Sequence, residues 1–300
     1  MKIRELKTPE EIKNYLDSSE TNYVKVAITD IDGVLRGKYM HIDKFIKSSE
    51  SGFGFCDVIF GWDSNDELYN FKNVGEEDLF TGWHSGFPDV KTAIIPESGR
   101  QNPFEKNIPI FLAELSHAQV CPRGVLKKVL SRLEEEGLRS MSAFEYEFFL
   151  FNENSHSIHE KGFKNLNNYT PGMFGYSILR NSVQSDFYNE ILNMCIDMDM
   201  RLEGLHTETG PGVLEAALMV DKSLNSADKA TLFKTFTKVL CQKNDLMAIF
   251  MAKWSEDYPG QSGHIHVSLQ DLNGDSIFSS IDGELPESYK FFLGGLQKYM

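Results

Sequence analysis

The chain lacks any run of about 18 apolar residues, the length that a helix needs to cross a bilayer, and its first 20 residues have no apolar stretch of the kind a signal peptide requires. No membrane partner is expected. Cysteine is scarce: Cys56, Cys121, Cys195 and Cys241 sit in hydrophobic contexts with no CxxC and no close spacing, which fits a reduced cytoplasmic location. Basic residues are outnumbered, 30 Lys and Arg against 44 Asp and Glu, for a net charge of −14 and a pI near 5.0. That balance argues against nucleic acid or an anionic membrane as partner. Neither GxxxxGK[ST] nor a strand-linked GxGxxG occurs, so a P-loop or Rossmann nucleotide site is not expected. Internal repeats and low-complexity segments are absent too.

What is present is enough for a large core. With 300 residues and 41% hydrophobic content, the chain is expected to hold two domains. Thr8-Pro9-Glu10-Glu11 opens a helix over residues 8 to 18, with Thr as cap and Pro in the first turn. Residues 23 to 29 alternate and are β-branched, and residues 111 to 115 also read as a strand. Gly- and aromatic-rich stretches at 52 to 66 and 83 to 89 read as ordered loops. Helical spacing at 123 to 136 ends at Gly137. Further strands are expected at 140 to 151, 202 to 207, 213 to 219 and 263 to 270, and helices at 184 to 199, 226 to 246 and 291 to 300. The expected boundary lies near residue 117, dividing the chain into 1–117 and 118–300.

Three segments carry the chemistry. Phe144-Glu145-Tyr146-Glu147-Phe148-Phe149-Leu150-Phe151 sets two carboxylates two residues apart, hence on one strand face, within an otherwise apolar run. At roughly 6.5 Å and an effective dielectric of about 20, two ionised carboxylates repel by about 2.5 kcal/mol. A divalent cation would turn that penalty into attraction, although an amphipathic strand facing water has the same pattern. The second segment, Glu208-Thr209-Gly210-Pro211-Gly212-Val213-Leu214-Glu215, brackets a turn with two more carboxylates. The third, Gly260-Gln261-Ser262-Gly263-His264-Ile265-His266-Val267-Ser268-Leu269, puts His264 and His266 on one face. Carboxylates with a histidine pair form a hard-ligand set suited to magnesium or manganese rather than zinc.

Other local patterns compete. Residues 26 to 35 end in Asp30-Ile31-Asp32-Gly33, like the first motif of haloacid dehalogenase-type phosphatases, with Asp30 as nucleophile and Asp32 as acid, but no matching Gly-Asp-x-x-x-Asp follows. Asp271-Leu272-Asn273-Gly274-Asp275 has its Gly misplaced for a calcium loop and reads as a hairpin turn. His84, His117, His156 and His159 have no partner pattern and read as surface or loop histidines.

The three segments in this order resemble the glutamine synthetase family, as do Phe250-Met251-Ala252-Lys253, Cys121-Pro122-Arg123 and the stretch Asp32-Gly33-Val34-Leu35-Arg36-Gly37-Lys38. The resemblance spans about residues 20 to 300. It implies an α+β fold: a small N-terminal β-grasp-like domain, then a catalytic domain built as an antiparallel half-barrel sheet with flanking helices. It implies an ATP-dependent carboxylate–amine ligase in which glutamate is activated as γ-glutamyl phosphate and transferred to ammonia or a primary amine, with two or more Mg2+ or Mn2+ ions per site. By motif, Glu147, Glu208 and Glu215 resemble ligands of the metal near the amino acid, and Glu145 and His264 ligands of the metal near ATP. Gly260 falls at a substrate contact, His266 and Ser268 lie beside the nucleotide, and His206 is a phosphate contact. No general acid or base is singled out. The family also implies a homo-oligomer, a double ring of ten or twelve subunits sharing active sites between neighbours.

Three departures qualify the expectation. The family's third ATP-side ligand and its phosphate-clamping arginines fall beyond Met300, so the sequence reads as a fragment, inactive as it stands. The family's ammonium-site segment is replaced by Phe55-Cys56-Asp57-Val58-Ile59-Phe60-Gly61-Trp62-Asp63, where Asp57, Asp63 or Asp66 could hold a cation, or Phe60 and Trp62 could wall an alkylamine pocket. Val213 stands where the family commonly has Gln. The alternative is a catalytically silent scaffold or regulatory protein with the same fold. Retained buried charge favours the enzyme, because apolar replacement would cost a scaffold little.

Overall fold

The computed structural model describes residues 2–69, 75, 79–116, 119–280 and 282–300. Helix α1 (Pro9–Asp17) begins as its sequence requires: Thr8 Oγ1 accepts the Glu11 amide at 3.2 Å and the Glu11 carboxylate accepts the Thr8 amide at 3.1 Å. Strands β1 (Tyr23–Thr29) and β2 (Leu35–His41) form an antiparallel hairpin, followed by α2 (Ile42–Ser51), β3 (Phe53–Cys56), β4 (Asp89–Ile94), β5 (Arg100–Gln101) and β6 (Pro109–Leu115). The sheet order is β2-β1-β6-β4-β3, with β5 beside β6 and with β6 parallel to β1. A hairpin, a helix and a last strand inserted parallel to the first is the expected β-grasp-like arrangement.

Two local expectations are corrected here. The stretch 52 to 66 is not all loop: β3 pairs with β4, and a single 3-10 turn follows at Asp57–Phe60. Gly52 and Gly54 hid this strand. Asp30, the nucleophile of the phosphatase reading, is fully buried. Its Oδ1 accepts the amides of Asp32 at 3.0 Å and Val34 at 2.8 Å, and its Oδ2 accepts Arg36 Nε at 2.8 Å. The carboxylate holds the β1–β2 turn and has no oxygen free for chemistry.

The second half runs α3 (Pro122–Glu135), β7 (Leu138–Phe151), α4 (Ser155–Glu160), α5 (Ile178–Val183), α6 (Ser185–Asp197), β8 (Leu202–Thr207), β9 (Val213–Leu218), β10 (Asp221–Lys222), α7 (Ser223–Lys243), β11 (Met247–Ile249), β12 (Gly263–Asp271) and α8 (Glu287–Tyr299). Its antiparallel half-barrel sheet is organised around β7, which pairs with β9 and β10 on one edge and with β11 and β12 on the other; β8 lies beyond β9. The hairpin reading of residues 271 to 275 holds, since Asp271 Oδ1 accepts the amides of Asn273 and Asp275, both at 2.9 Å. In α8, Phe292 packs on Phe278 while Phe291 and Tyr299 stay exposed.

The β7 sequence explains its packing. Its even residues Tyr146 and Phe148 face α7 and Phe250, with Phe148 stacked on Phe250 at 5.1 Å and Tyr146 on Phe233 at 5.9 Å. Its odd residues change character along the strand: Glu145 and Glu147 remain partly open, while Phe149 and Phe151 are buried against Trp254. The alternation therefore gives way to an all-apolar run where the sheet is covered on both faces. Ala27, Ile110 and Leu112 of the first sheet, with Ile95 just past β4, join the core of α6, α7 and β7. A largely buried ion network adds to that joint: Arg123 of α3 donates to Glu114 of β6 at 2.6 Å and to Asp228 of α7 at 3.1 Å. His117 and Ala118, at the expected boundary, lie outside the described residues.

Candidate metal and nucleotide site

Strand register places the carboxylates. Glu145 of β7 lies opposite His264 of β12; Glu147 lies opposite Glu215 of β9, which lies opposite His206 of β8. Directly opposed residues of an antiparallel ladder share a face, and Glu145 and Glu147 are two residues apart. Five side chains thus form two rows on one face of the sheet. Glu208, just past β8, is brought to the same place by the turn: its amide donates to Val213 O at 3.1 Å. That turn depends on glycine. Gly212 has φ +72, and a Cβ there would lie 2.5 Å from Leu150 O, to which the ladder brings it through a Leu150 N–H to Gly212 O bond of 2.7 Å.

The contacts within the face divide into two groups. In the first, His206 Nε2 lies 3.5 Å from Glu208 Oε2 and 3.7 Å from Glu215 Oε2. One donor atom from each of the three lies within 4.8 Å of the others. In the second, His264 Nδ1 is 2.7 Å from Glu145 Oε1, and His266 Nε2 is 3.6 Å from Glu145 Oε2. Glu147 lies between the groups: Ser262 Oγ donates to its Oε1 at 2.7 Å and the Ser262 amide to its Oε2 at 3.2 Å.

Electrostatics follow from this crowding. Partial burial, then the neighbouring Glu145, Glu147 and Glu208, push the Glu215 carboxyl up, with His206 opposing. The hydrogen bond to Glu145 raises His264. Tyr176 is raised by the field of Glu208 and Glu215. A protein holding four carboxylates on one face without a cation carries repulsion that a divalent ion removes. The residues fit such an ion: His206 Nε2 is buried with no hydrogen-bond partner and faces two carboxylate oxygens, and the donor set is oxygen-rich with imidazole.

The remaining expected residues fall nearby. His266 and Ser268 line a cavity of about 430 Å3 together with Glu145, Met141, Ala143 and Val267. Gly260 is exposed at a tight backbone approach, where a Cβ would lie 2.8 Å from Ala252 O and the next amide, of Gln261, donates to that oxygen at 2.6 Å. The sequence reading expected Glu147 beside Glu208 and Glu215 and gave His206 to phosphate. The structure keeps Glu147 in register with Glu215 but puts the His206 ring nitrogen at the two glutamates. Two participants were missed. Ser262 lay within a quoted segment and was readable; Tyr176, stacked on His206 at 4.3 Å and 14°, comes from a loop with no local signal.

Among the described residues, the side chains of the replaced ammonium-site segment are largely engaged by neighbours. Phe60 is buried against Phe80, and Arg36 lies over the Trp62 ring at 5.2 Å. Asp57 is buried and accepts Thr81 Oγ1 at 2.6 Å. Asp63 caps the following turn through the amides of Asn65 and Glu67, and Asp66 pairs with Arg36 at 2.5 Å.

Comparison with known proteins agrees with the fold. Residues 119–300 match the family model described as glutamine synthetase, catalytic domain. The chain therefore belongs to the glutamine synthetase family. It is 41% identical over 292 residues to type-1 glutamine synthetase 2 of Dictyostelium discoideum, covering 95% of this chain and 55% of that protein. It is 32% identical to the glutamate–isopropylamine ligase of a Pseudomonas species, covering 95% and 62%. A solved structure described as GmaS without ligand superposes with a TM-score of 0.75 at 22% identity, over 93% of this chain and 62% of that one, a likeness of fold. The chain thus spans between half and two thirds of the length of these relatives.

Proposed function

We propose that this chain is the metal- and nucleotide-binding part of an ATP-dependent carboxylate–amine ligase that acts on glutamate. The observation that carries the reading is the pair of lateral rows, Glu145 with His264 and Glu147 with Glu215 and His206, on one face of a sheet. In this reading Glu147, Glu208 and Glu215 serve the metal near the amino acid, and Glu145 and His264 the metal near ATP. Gly260 offers backbone to the substrate, His266 and Ser268 line the nucleotide cavity, and His206 faces the reacting phosphate. Two or more Mg2+ or Mn2+ ions would supply charge neutralisation for the phosphates. An oxygen of the substrate γ-carboxylate attacks the terminal phosphorus and ADP leaves; the amine nitrogen then attacks the acyl carbon and phosphate leaves. Such transfer depends on positioning and charge more than on covalent help, in keeping with a site made of ligands rather than nucleophiles.

The acceptor is ammonia or a primary amine. One relative is named for glutamine synthesis and another for isopropylamine, and the Asp57 carboxylate is already engaged by Thr81, which favours an amine. We further propose the division into residues 1–117 and 118–300, a cytoplasmic setting, and assembly into a double ring of ten or twelve subunits. The test is phosphate release from ATP by the protein in its cellular form, with magnesium and glutamate, and with ammonia, methylamine, ethanolamine or putrescine added in turn. Amine-dependent release that Glu147→Ala abolishes supports the ligase; no release with any acceptor overturns it.

A further inference from the structure

We infer that Ser262 is a positioning residue, which orients the Glu147 carboxylate for its cation and ties the backbone that carries Gly260 to β7. The inference rests on the proposed roles of Glu147 and Gly260 and adds a residue that binds neither ion nor substrate.

Strand β12 begins at Gly263, opposite Tyr146, and the pairing runs one residue further: the Glu147 amide donates to Ser262 O at 3.1 Å. The return bonds go to the side chain. The Ser262 amide donates to Glu147 Oε2 at 3.2 Å, and the Ser262 hydroxyl donates to Oε1 at 2.7 Å. Carbonyl, amide and hydroxyl of one residue are thus all directed at one partner. Two donors, one for each carboxylate oxygen, fix the plane of the carboxylate as well as its place, whereas a single bond would leave the group free to turn about its last side-chain bond. Each oxygen has two lone pairs, so each keeps one open for a cation. A glutamate held in this way has already lost the rotamer freedom that ligation would otherwise remove.

Water also donates to an exposed carboxylate, and Ser262 is exposed. What water lacks is a fixed position. Ser262 has one because the residues before it are fastened. The Gln261 amide donates to Ala252 O at 2.6 Å and closes the loop of residues 252 to 261. The Gln261 side chain is buried and its Nε2 lies 3.4 Å from Thr209 O, in the turn between Glu208 and Glu215. Neighbouring side chains therefore reach different parts of the site, Gln261 the turn and Ser262 the carboxylate of Glu147, and a shift of Glu147 is passed to Gly260 through the adjoining backbone. The Ser262 hydroxyl also lies 3.5 Å from His264 Nε2, so it stands between Glu147 and the second group of side chains. Alanine at this position would keep the amide bond and release one carboxylate oxygen; threonine would keep both donors.

The test is Mn2+ binding by the protein in its cellular form, read from the free-ion electron paramagnetic resonance signal, in a double-mutant cycle of Ser262→Ala and Glu147→Ala. Ser262→Ala is expected to weaken Glu147-dependent binding about tenfold and Ser262→Thr less than about threefold. In the Glu147→Ala background Ser262→Ala is expected to change nothing, which a general loss of structure would not reproduce. In the phosphate-release assay Ser262→Ala should raise the glutamate KM severalfold and leave the ATP KM unchanged. Equal weakening in both backgrounds, no weakening in either, or an unchanged glutamate KM overturns the inference and leaves the metal site standing. Mn2+ binding that Glu147→Ala leaves unchanged overturns instead the role of Glu147 on which the inference rests.

Discussion

Single residues set limits that can be measured. Gly212 combines a left-handed backbone with a Cβ position 2.5 Å from the Leu150 carbonyl. Gly212→Ala is expected to destabilise by more than about 1 kcal/mol, seen as a lower urea midpoint with an unchanged slope. Glu153 is buried, and Lys161 first, then Ser157 and the Asn167 amide, hold its carboxyl down to about 2 from an ordinary 4.5. A depressed folded-state value stabilises the protein above pH 4.5, and that contribution is lost as pH falls from 4.5 toward 2. Native protein should therefore lose stability through this window, and Glu153→Gln should show a flatter dependence in denaturant titrations at each pH. Equal slopes for the two proteins would contradict this assignment.

The elements differ in what they reveal before folding. Long ones were legible: β7, α3, α6 and α7 lie within three residues of their expected bounds, because each is long enough for its apolar spacing to show a period. Strand β2 was not, since only Met40 of its seven residues is buried and the hairpin with β1 holds it in place. Helix α2 was missed because its apolar residues, Ile42, Phe45 and Ile46, span little more than one turn before a polar end. Strands β5, β10 and β11 have two or three residues each, too few for any period. The site was legible as motifs, since alternation alone puts Glu145 with Glu147 and His264 with His266. The lateral pairing of Glu215 with His206, and Tyr176 above it, depend on register and on a distant loop.

One element-level joint carries weight. Arg123 links β6, α3 and α7 through Glu114 and Asp228, and burial pushes the Asp228 carboxyl up. Arg123→Met should destabilise by about 3–5 kcal/mol because it leaves the Asp228 carboxylate without its ion-pair partner, while Glu114 keeps Lys127, whereas adding Asp228→Asn should recover part of the loss. Thermal unfolding of both variants checks the pair, and equal losses would argue against a buried network.

On the scale of the whole molecule, the first sheet has a core of its own and adds a few residues to the core of the second, and the second sheet presents its charged face around β7. If the protein assembles as proposed, light scattering should give a mass of ten or twelve subunits, and a monomer at micromolar concentration would contradict the ring. The central claim is narrower: that this face holds divalent cations. It is tested most directly by the anomalous difference map of crystals soaked in Mn2+. The account predicts one peak among Glu147, Glu208 and Glu215 and a second beside Glu145 and His264. Ordered density for all five side chains with no peak at either position would contradict it.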